Sequence, residues 1–180
     1  MISDVSDALV DVVHQATPDL APWVIHHSLS QGDAVAPTDS KGILALLAVE
    51  EHEHLRNAPL VEGVAGLVRP PLALRLHYLV TYWGVHDEAQ QRLARVVQAF
   101  HTTPILRAPD LQPPLADQVE SLTVRLVPAD HDRRNQIWGA LGRSGRLALF
   151  YTVDVAPVPV LQREGAGRVR EHRLDYVGAP

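Results

Sequence analysis

The residues best equipped for chemistry sit together at His52-Glu53-His54, beside Glu50 and Glu51. Imidazoles two residues apart share one face of a strand and could grip one metal ion; on a helix they would diverge. A catalytic zinc needs a third protein ligand and an open position, and no His-Glu-x-x-His or comparable helical spacing supplies one. Residues 50–54 therefore read first as a solvated charged turn. His26-His27 is a weaker pair, because adjacent side chains on a strand point apart. No nucleophile elbow Gly-x-Ser-x-Gly occurs, and Gly142-Arg143-Ser144-Gly145 reads as a turn between a helix and a strand. Gly63-Val64-Ala65-Gly66 lacks the lysine and the helix of a phosphate loop. The chain has no cysteine, which removes disulfides, thiolate zinc sites and thiol nucleophiles. No catalytic residue, cofactor or metal site is assigned from the sequence.

The elements that must position these residues start with residues 70–83, Pro-Pro-Leu-Ala-Leu-Arg-Leu-His-Tyr-Leu-Val-Thr-Tyr-Trp. Leu72, Leu74, Leu76, Tyr78, Val80 and Tyr82 alternate with Ala73, Arg75, His77, Leu79, Thr81 and Trp83, the period of a long strand with one apolar face. Residues 2–15 read as a helix with Ile2, Val5, Leu9, Val12 and Val13 on one stripe and Ser3 as N-cap. Residues 23–25 suit a short strand, 31–40 a loop and 42–49 an apolar strand that pairs antiparallel with the long one. Residues 87–100 form a second helix, with Asp87 and Gln90 at capping-box spacing. Pro104, just before it, and Pro109, Pro113 and Pro114 within it make 105–115 an extended loop. A strand at 119–127 points Leu122, Val124 and Leu126 inward. A short helix at 130–141 turns Ile137, Trp138 and Leu141 inward and stops at Gly142. A last strand at 147–155 puts Leu147, Leu149, Tyr151 and Val153 on one face. The expectation is an α+β domain: about four strands in a mainly antiparallel or mixed sheet, with about three helices on one face. Residues 1–160 form the domain, and 161–180 a charged tail with too little apolar surface to fold alone.

Length and charge narrow the function. A chain of 180 residues can bury one real core, and 46% hydrophobic with 21% charged residues is globular composition. The net charge of −5 argues against nucleic acid as partner. No apolar run spans a bilayer and no basic segment precedes an apolar one at the start, so a cytoplasmic protein without membrane contact is expected.

Several blocks, in order, resemble the tail-terminator or cap proteins of phage-tail-like contractile injection systems of the virulence-cassette and antifeeding-prophage type. They are Met1-Ile2-Ser3-Asp4-Val5-Ser6-Asp7-Ala8-Leu9, Val49-Glu50-Glu51 with Leu55-Arg56-Asn57, the segment 70–81, and Ile137-Trp138-Gly139-Ala140-Leu141 before the last strand. The resemblance runs to about Pro159. It implies a structural protein and not an enzyme: a hexameric ring that closes the baseplate-distal end of inner tube and sheath and ends polymerisation. Its implied partners are other copies of the chain, the tube protein and the sheath protein. Some relatives have a further C-terminal region, whereas this chain stops soon after its last strand. Particles would assemble in the cytoplasm, from which lysis could release them. Charge and expected exposure mark Glu50, Glu51, Glu53 and Arg56, Arg75 and Trp83 on the less apolar strand face, and Arg168, Arg170 and Arg173 in the tail as interface residues. Two other readings stand beside the cap: a small metal-dependent hydrolase using His52, His54 and an acidic partner, and an adaptor domain that binds one protein or peptide.

Overall fold

A strand whose two parities are both largely apolar must be covered on both sides, and this requirement shapes the molecule. The computed structural model describes residues 1–30, 40–53, 59–63, 66–68 and 72–158. Its elements are α1 (Ile2–Ala16), β1 (Val24–His26), β2 (Lys41–Glu51), β3 (Val61–Gly63), β4 (Gly66–Val68), β5 (Leu74–Trp83), α2 (His86–Thr102), β6 (Ile105–Arg107), α3 (Leu115–Gln118), β7 (Val119–Leu126), α4 (His131–Ala140) and β8 (Ala148–Pro157). A six-stranded sheet runs β1-β2-β5-β8-β7-β6, and β3 with β4 forms a separate pair. β1 lies parallel to β2; every other pairing is antiparallel.

The α+β class and the mixed sheet agree with expectation, and more strands and helices are present than the sequence pattern suggests. β1 and β6 have three residues each, too few for alternation to register. The expected loop at 105–115 contains β6, a 3-10 turn at Ala108–Asp110 and the start of α3. Its prolines flank these pieces or sit in their first turns, where a missing N–H does no harm. The loop expected at 31–40 and the tail at 161–180 fall almost wholly outside the described residues.

On one face of the sheet, Leu74, Leu76, Tyr78, Val80 and Tyr82 meet Val5, Leu9, Val12 and Val13 of α1 and Leu93, Val96 and Phe100 of α2. Each fully buried Leu or Val contributes about 1.5–3 kcal/mol. The other face is apolar too over half its length. Ile43, Ala45, Leu79 and Phe150 pack beneath Trp138 of α4, with Leu29, Ile137 and Leu141 around them. Helices therefore lie on both faces, not one. Leu126 keeps the parity of Leu122 and Val124 but is 53% exposed, since it stands at the end of β7 with little over it. Leu72 and Leu147 lie before the first residues of β5 and β8 and are exposed.

The caps differ from the sequence reading. α1 starts after Met1, not Ser3, and α2 starts after Val85 with no side-chain cap, so Asp87 and Gln90 form no capping box. α4 is capped: the Asp130 carboxylate accepts from the Arg133 N–H at 2.7 Å. Gly142 stops it at φ 66°, a conformation that favours glycine.

Two close contacts fix how α1 and β1 meet the sheet. The Tyr78 hydroxyl lies 2.9 Å from Ser6 Oγ, joining β5 to α1 within the core. Gly42 sits where a Cβ would stand 2.8 Å from the Trp23 ring and 2.9 Å from Val24. Gly42→Ala should therefore lower the urea midpoint, at a cost of about 1–3 kcal/mol, with an unchanged denaturant slope. Burial also pushes the Tyr78 and Tyr151 hydroxyls up to about 12, and the Ser6 bond opposes this slightly at Tyr78. The unfolded chain loses these protons near the ordinary value of about 10, so stability is full below that pH and falls between about 10 and 12. Urea midpoints measured across this window should drop steeply. Tyr78→Phe should flatten the drop while costing about 1 kcal/mol at neutral pH.

Candidate functional site

The face that α4 half covers turns polar at its other end. There the sheet register lines up Glu50, Arg75, Asp154 and Thr123 across β2, β5, β8 and β7, and beside them His77, Thr152 and Arg125. A β-bulge places the first of these. The pairing of β2 with β5 shifts between Leu46 and Ala48, so Leu44 opposes Val80 on the core face but Glu50 opposes Arg75 on the polar face. An unbroken ladder would have set Glu50 opposite Leu74 on the core side.

Asp154 is the centre of the group. Arg75 Nε donates to its Oδ1 at 2.7 Å, and Arg125 donates to Oδ2. His52 Nε2 stands 3.7 Å from the same carboxylate and 3.4 Å from the Arg75 guanidinium. His77 Nε2 lies 3.2 Å from Glu50 Oε2, an ion-pair distance without hydrogen-bond alignment. The Asp154 side chain is 16% exposed and Arg75 22%, so water screens this pair only partly. The hydrogen bond that Arg75 donates to Asp154 holds its guanidinium above its ordinary range; burial pulls the other way, and the charges of Asp154, Glu53 and Glu50 add to the rise. With both oxygens accepting from arginine, the carboxylate ties three strands together and is poorly placed as a general base.

The expected interface residues divide accordingly. Glu50 and Arg75 come together at the polar end, and the charge of Glu53 acts on Arg75. Glu51 opposes Leu74 and takes the other parity. Both Glu50 and Glu51 belong to β2, so the charged turn begins only at His52. Trp83 stands at the far end of β5, about 26 Å from Arg75 at ~3.3 Å per residue. It packs against the second core, with the Arg143 and Arg146 guanidinium carbons 5.4 and 4.1 Å from its ring centroid. His54, Arg56, Arg168, Arg170 and Arg173 lie outside the described residues.

Among the described residues no three His, Asp or Glu are grouped to hold a metal ion. His52 faces a guanidinium and a carboxylate already engaged by arginine. Sequence reasoning missed Asp154 and its partner Arg125. The signal was present, since Asp154 is the one charged residue in Ala148–Pro157, and a carboxylate in an apolar strand needs a partner. Asp154→Ala should cost about 1–3 kcal/mol in urea unfolding because Arg75 is left without its acceptor, whereas the more exposed Arg125→Ala should cost under about 1 kcal/mol.

The fold and this face can be set against known proteins. No helix among the described residues is long and apolar enough to cross a membrane. No curated protein matches the chain. One solved structure similar to it is the sheath/tube terminator, in the extended state, of the extracellular contractile injection system PVC. The TM-score is 0.60 at 21% identity, covering 100% of this chain and 64% of that one. Another is the tube-terminating cap of the anti-feeding prophage, with TM-score 0.60 at 21% identity, covering 98% of this chain and 62% of that one. The chain thus spans less than two thirds of the length of either. The family model described as the Pvc16 N-terminal domain matches residues 4–171, from α1 to beyond the last strand, and on that extent the chain belongs to the Pvc16 N-terminal domain family.

Proposed function

We propose that the protein is a structural cap, or tail terminator, of a contractile injection system. It closes the baseplate-distal end of the inner tube and sheath as a ring of six copies and ends their polymerisation. The observation that carries this reading is the extent of the likeness: a sheath/tube terminator and a tube-terminating cap share the fold over 98% or more of this chain. Membership of the Pvc16 N-terminal domain family supports it. The partners are other copies of the chain, the tube protein and the sheath protein. No catalytic, metal or cofactor role is assigned. Assembly takes place in the cytoplasm, from which lysis could release the particles.

A ring requires two different surfaces of each copy to meet head to tail. One is the polar end of the sheet, where Glu50, Glu51, Glu53 and Arg75 stand and β2 runs past its neighbour; Arg56, outside the described residues, is assigned to the same contact. β1 covers only Gly42 to Leu44, while Leu46 and Val49 are 37% and 43% exposed farther along β2. An edge of this kind accepts an added strand from a neighbour. The second is the tail of residues 161–180 with Arg168, Arg170 and Arg173, whose guanidiniums suit carboxylates on an adjoining subunit. Trp83, at the far end of β5, serves a third contact.

Electron microscopy of particles made with and without this protein tests the reading. Its loss should give tubes of irregular length with open ends, and regular, closed particles would overturn the cap assignment. A chain ending at Pro159 should form the ring poorly on isolated tubes when its mass is read by light scattering. Full ring formation by that truncation would remove the tail from the contact.

A further inference from the structure

At the end of the sheet away from Asp154, the first turns of α2 and α4 flank a recess of about 460 Å³. His86, His131, Arg134, Asn135, Arg146 and Trp138 line it, and none of its lining residues is acidic. That is notable in a chain with 21 acids against 16 lysines and arginines. The nearest carboxylates in sequence are engaged or turned away. Asp130 caps α4, Glu88 is held at the edge of the recess by the hydroxyl of Tyr82, a lining residue, and by Arg92 at 3.2 Å, and Asp87 and Asp132 are exposed outside the recess. No side chain caps α2, so its positive end adds to the field.

Trp138 supplies an independent sign that something binds here. The side chain is 3% exposed, yet its Nε1–H has no acceptor among the described residues. Buried Trp23, by contrast, donates to Thr17 Oγ1 at 3.2 Å. Buried donors are nearly always paired. The Cδ1 edge of the Trp138 ring, which adjoins Nε1, lies 3.7 Å from where a Cβ on Gly145 would stand, and Gly145 lines the recess. The rim includes apolar residues open to solvent: Leu147, which lines the recess, is 41% exposed, and Val85, between the lining residues Gly84 and His86, is 70% exposed. A free anion has no use for such a rim, but a protein segment does.

We infer that this recess docks a carboxylate presented by a neighbouring protein chain, an Asp or Glu side chain flanked by an apolar residue. Trp138 Nε1, Arg134, Arg146 and Asn135 donate to the carboxylate, and the flanking residue covers Val85 and Leu147. Nε1 is itself covered, so the acceptor reaches it with a small movement of residues 144–146, which belong to no helix or strand, while Leu147 stays anchored by the hydrogen bond from Thr81 Oγ1 to its carbonyl at 2.8 Å. The site goes beyond the cap assignment and stands or falls separately from it.

The test follows the indole N–H resonances of the full-length ¹⁵N-labelled protein. The probes are acetyl-Leu-Glu-Val-amide, the same peptide with Gln for Glu, and inorganic phosphate. The Glu peptide should shift the Trp138 resonance saturably and leave Trp23 in place. The Gln peptide should bind at least ~10-fold more weakly, and Arg134→Gln and Arg146→Gln, both on the surface, should each weaken the Glu peptide roughly tenfold. A Trp138 signal that ignores the Glu peptide, or answers both peptides alike, overturns the inference. Phosphate binding as tightly as the Glu peptide overturns the protein occupant in favour of a free anion. Particle morphology tests the cap reading on its own, so failure of one leaves the other standing.

Discussion

The fold depends on one constraint: β5 lies in the middle of the sheet, and both of its faces need cover. One parity, Leu74 to Tyr82, is apolar throughout and takes α1 and α2 along its full length. The other meets the second core through Leu79 and Trp83, and α4 reaches only that far. Beyond that cover the same parity carries Arg75 and His77, which no helix shields among the described residues. The polar cluster is thus the uncovered remainder of a half-covered face. Burial sets its position as much as chemistry does.

That division explains which parts were legible in the sequence. The strand at 74–83 could be read because alternation over ten residues has no competing explanation, and α1 and α2 because their stripes are long. β1 and β6 were hidden because three residues hold no period. The second core was hidden because it is assembled from Ile43, Leu79, Phe150 and Trp138, residues distant in sequence that meet only through strand order. The polar site was half legible. Arg75 and Glu50 stood out as charges beside apolar runs, but Asp154, which holds Arg75, is invisible as a partner until β5 and β8 are known to be neighbours. The caps misled because Ser3 and Asp87 satisfy a spacing rule at helices that begin elsewhere.

In the ring proposed above, the two ends of this face would suit different tasks. At one end Asp154 joins β5, β7 and β8 through arginine, so a surface that meets another molecule is braced across three strands before contact. At the other end His86, Arg134 and Arg146 already meet Gln90, the Asp130 carbonyl and the Trp83 ring, but no acidic side chain lines the recess they surround. A charged face braced by a carboxylate and a basic hollow without one, about a strand length apart, give the chain two unlike surfaces. Head-to-tail assembly needs such a pair.

The bulge at Leu47 gives β2 two phases. Before it, the strand's even-numbered residues belong to the core; after it, they belong to the polar face. Were Leu47 paired in an unbroken ladder, Glu50 would point into the packed layer beneath α1 and α2, and Val49 would take its place beside Arg75. Loss of one residue at the bulge itself would leave Glu50 opposite Arg75, whereas a residue lost or gained between the bulge and Glu50 would exchange inside for outside along the rest of the strand. One unpaired residue is thus what lets Leu44 face the core and Glu50 the polar side within a single strand.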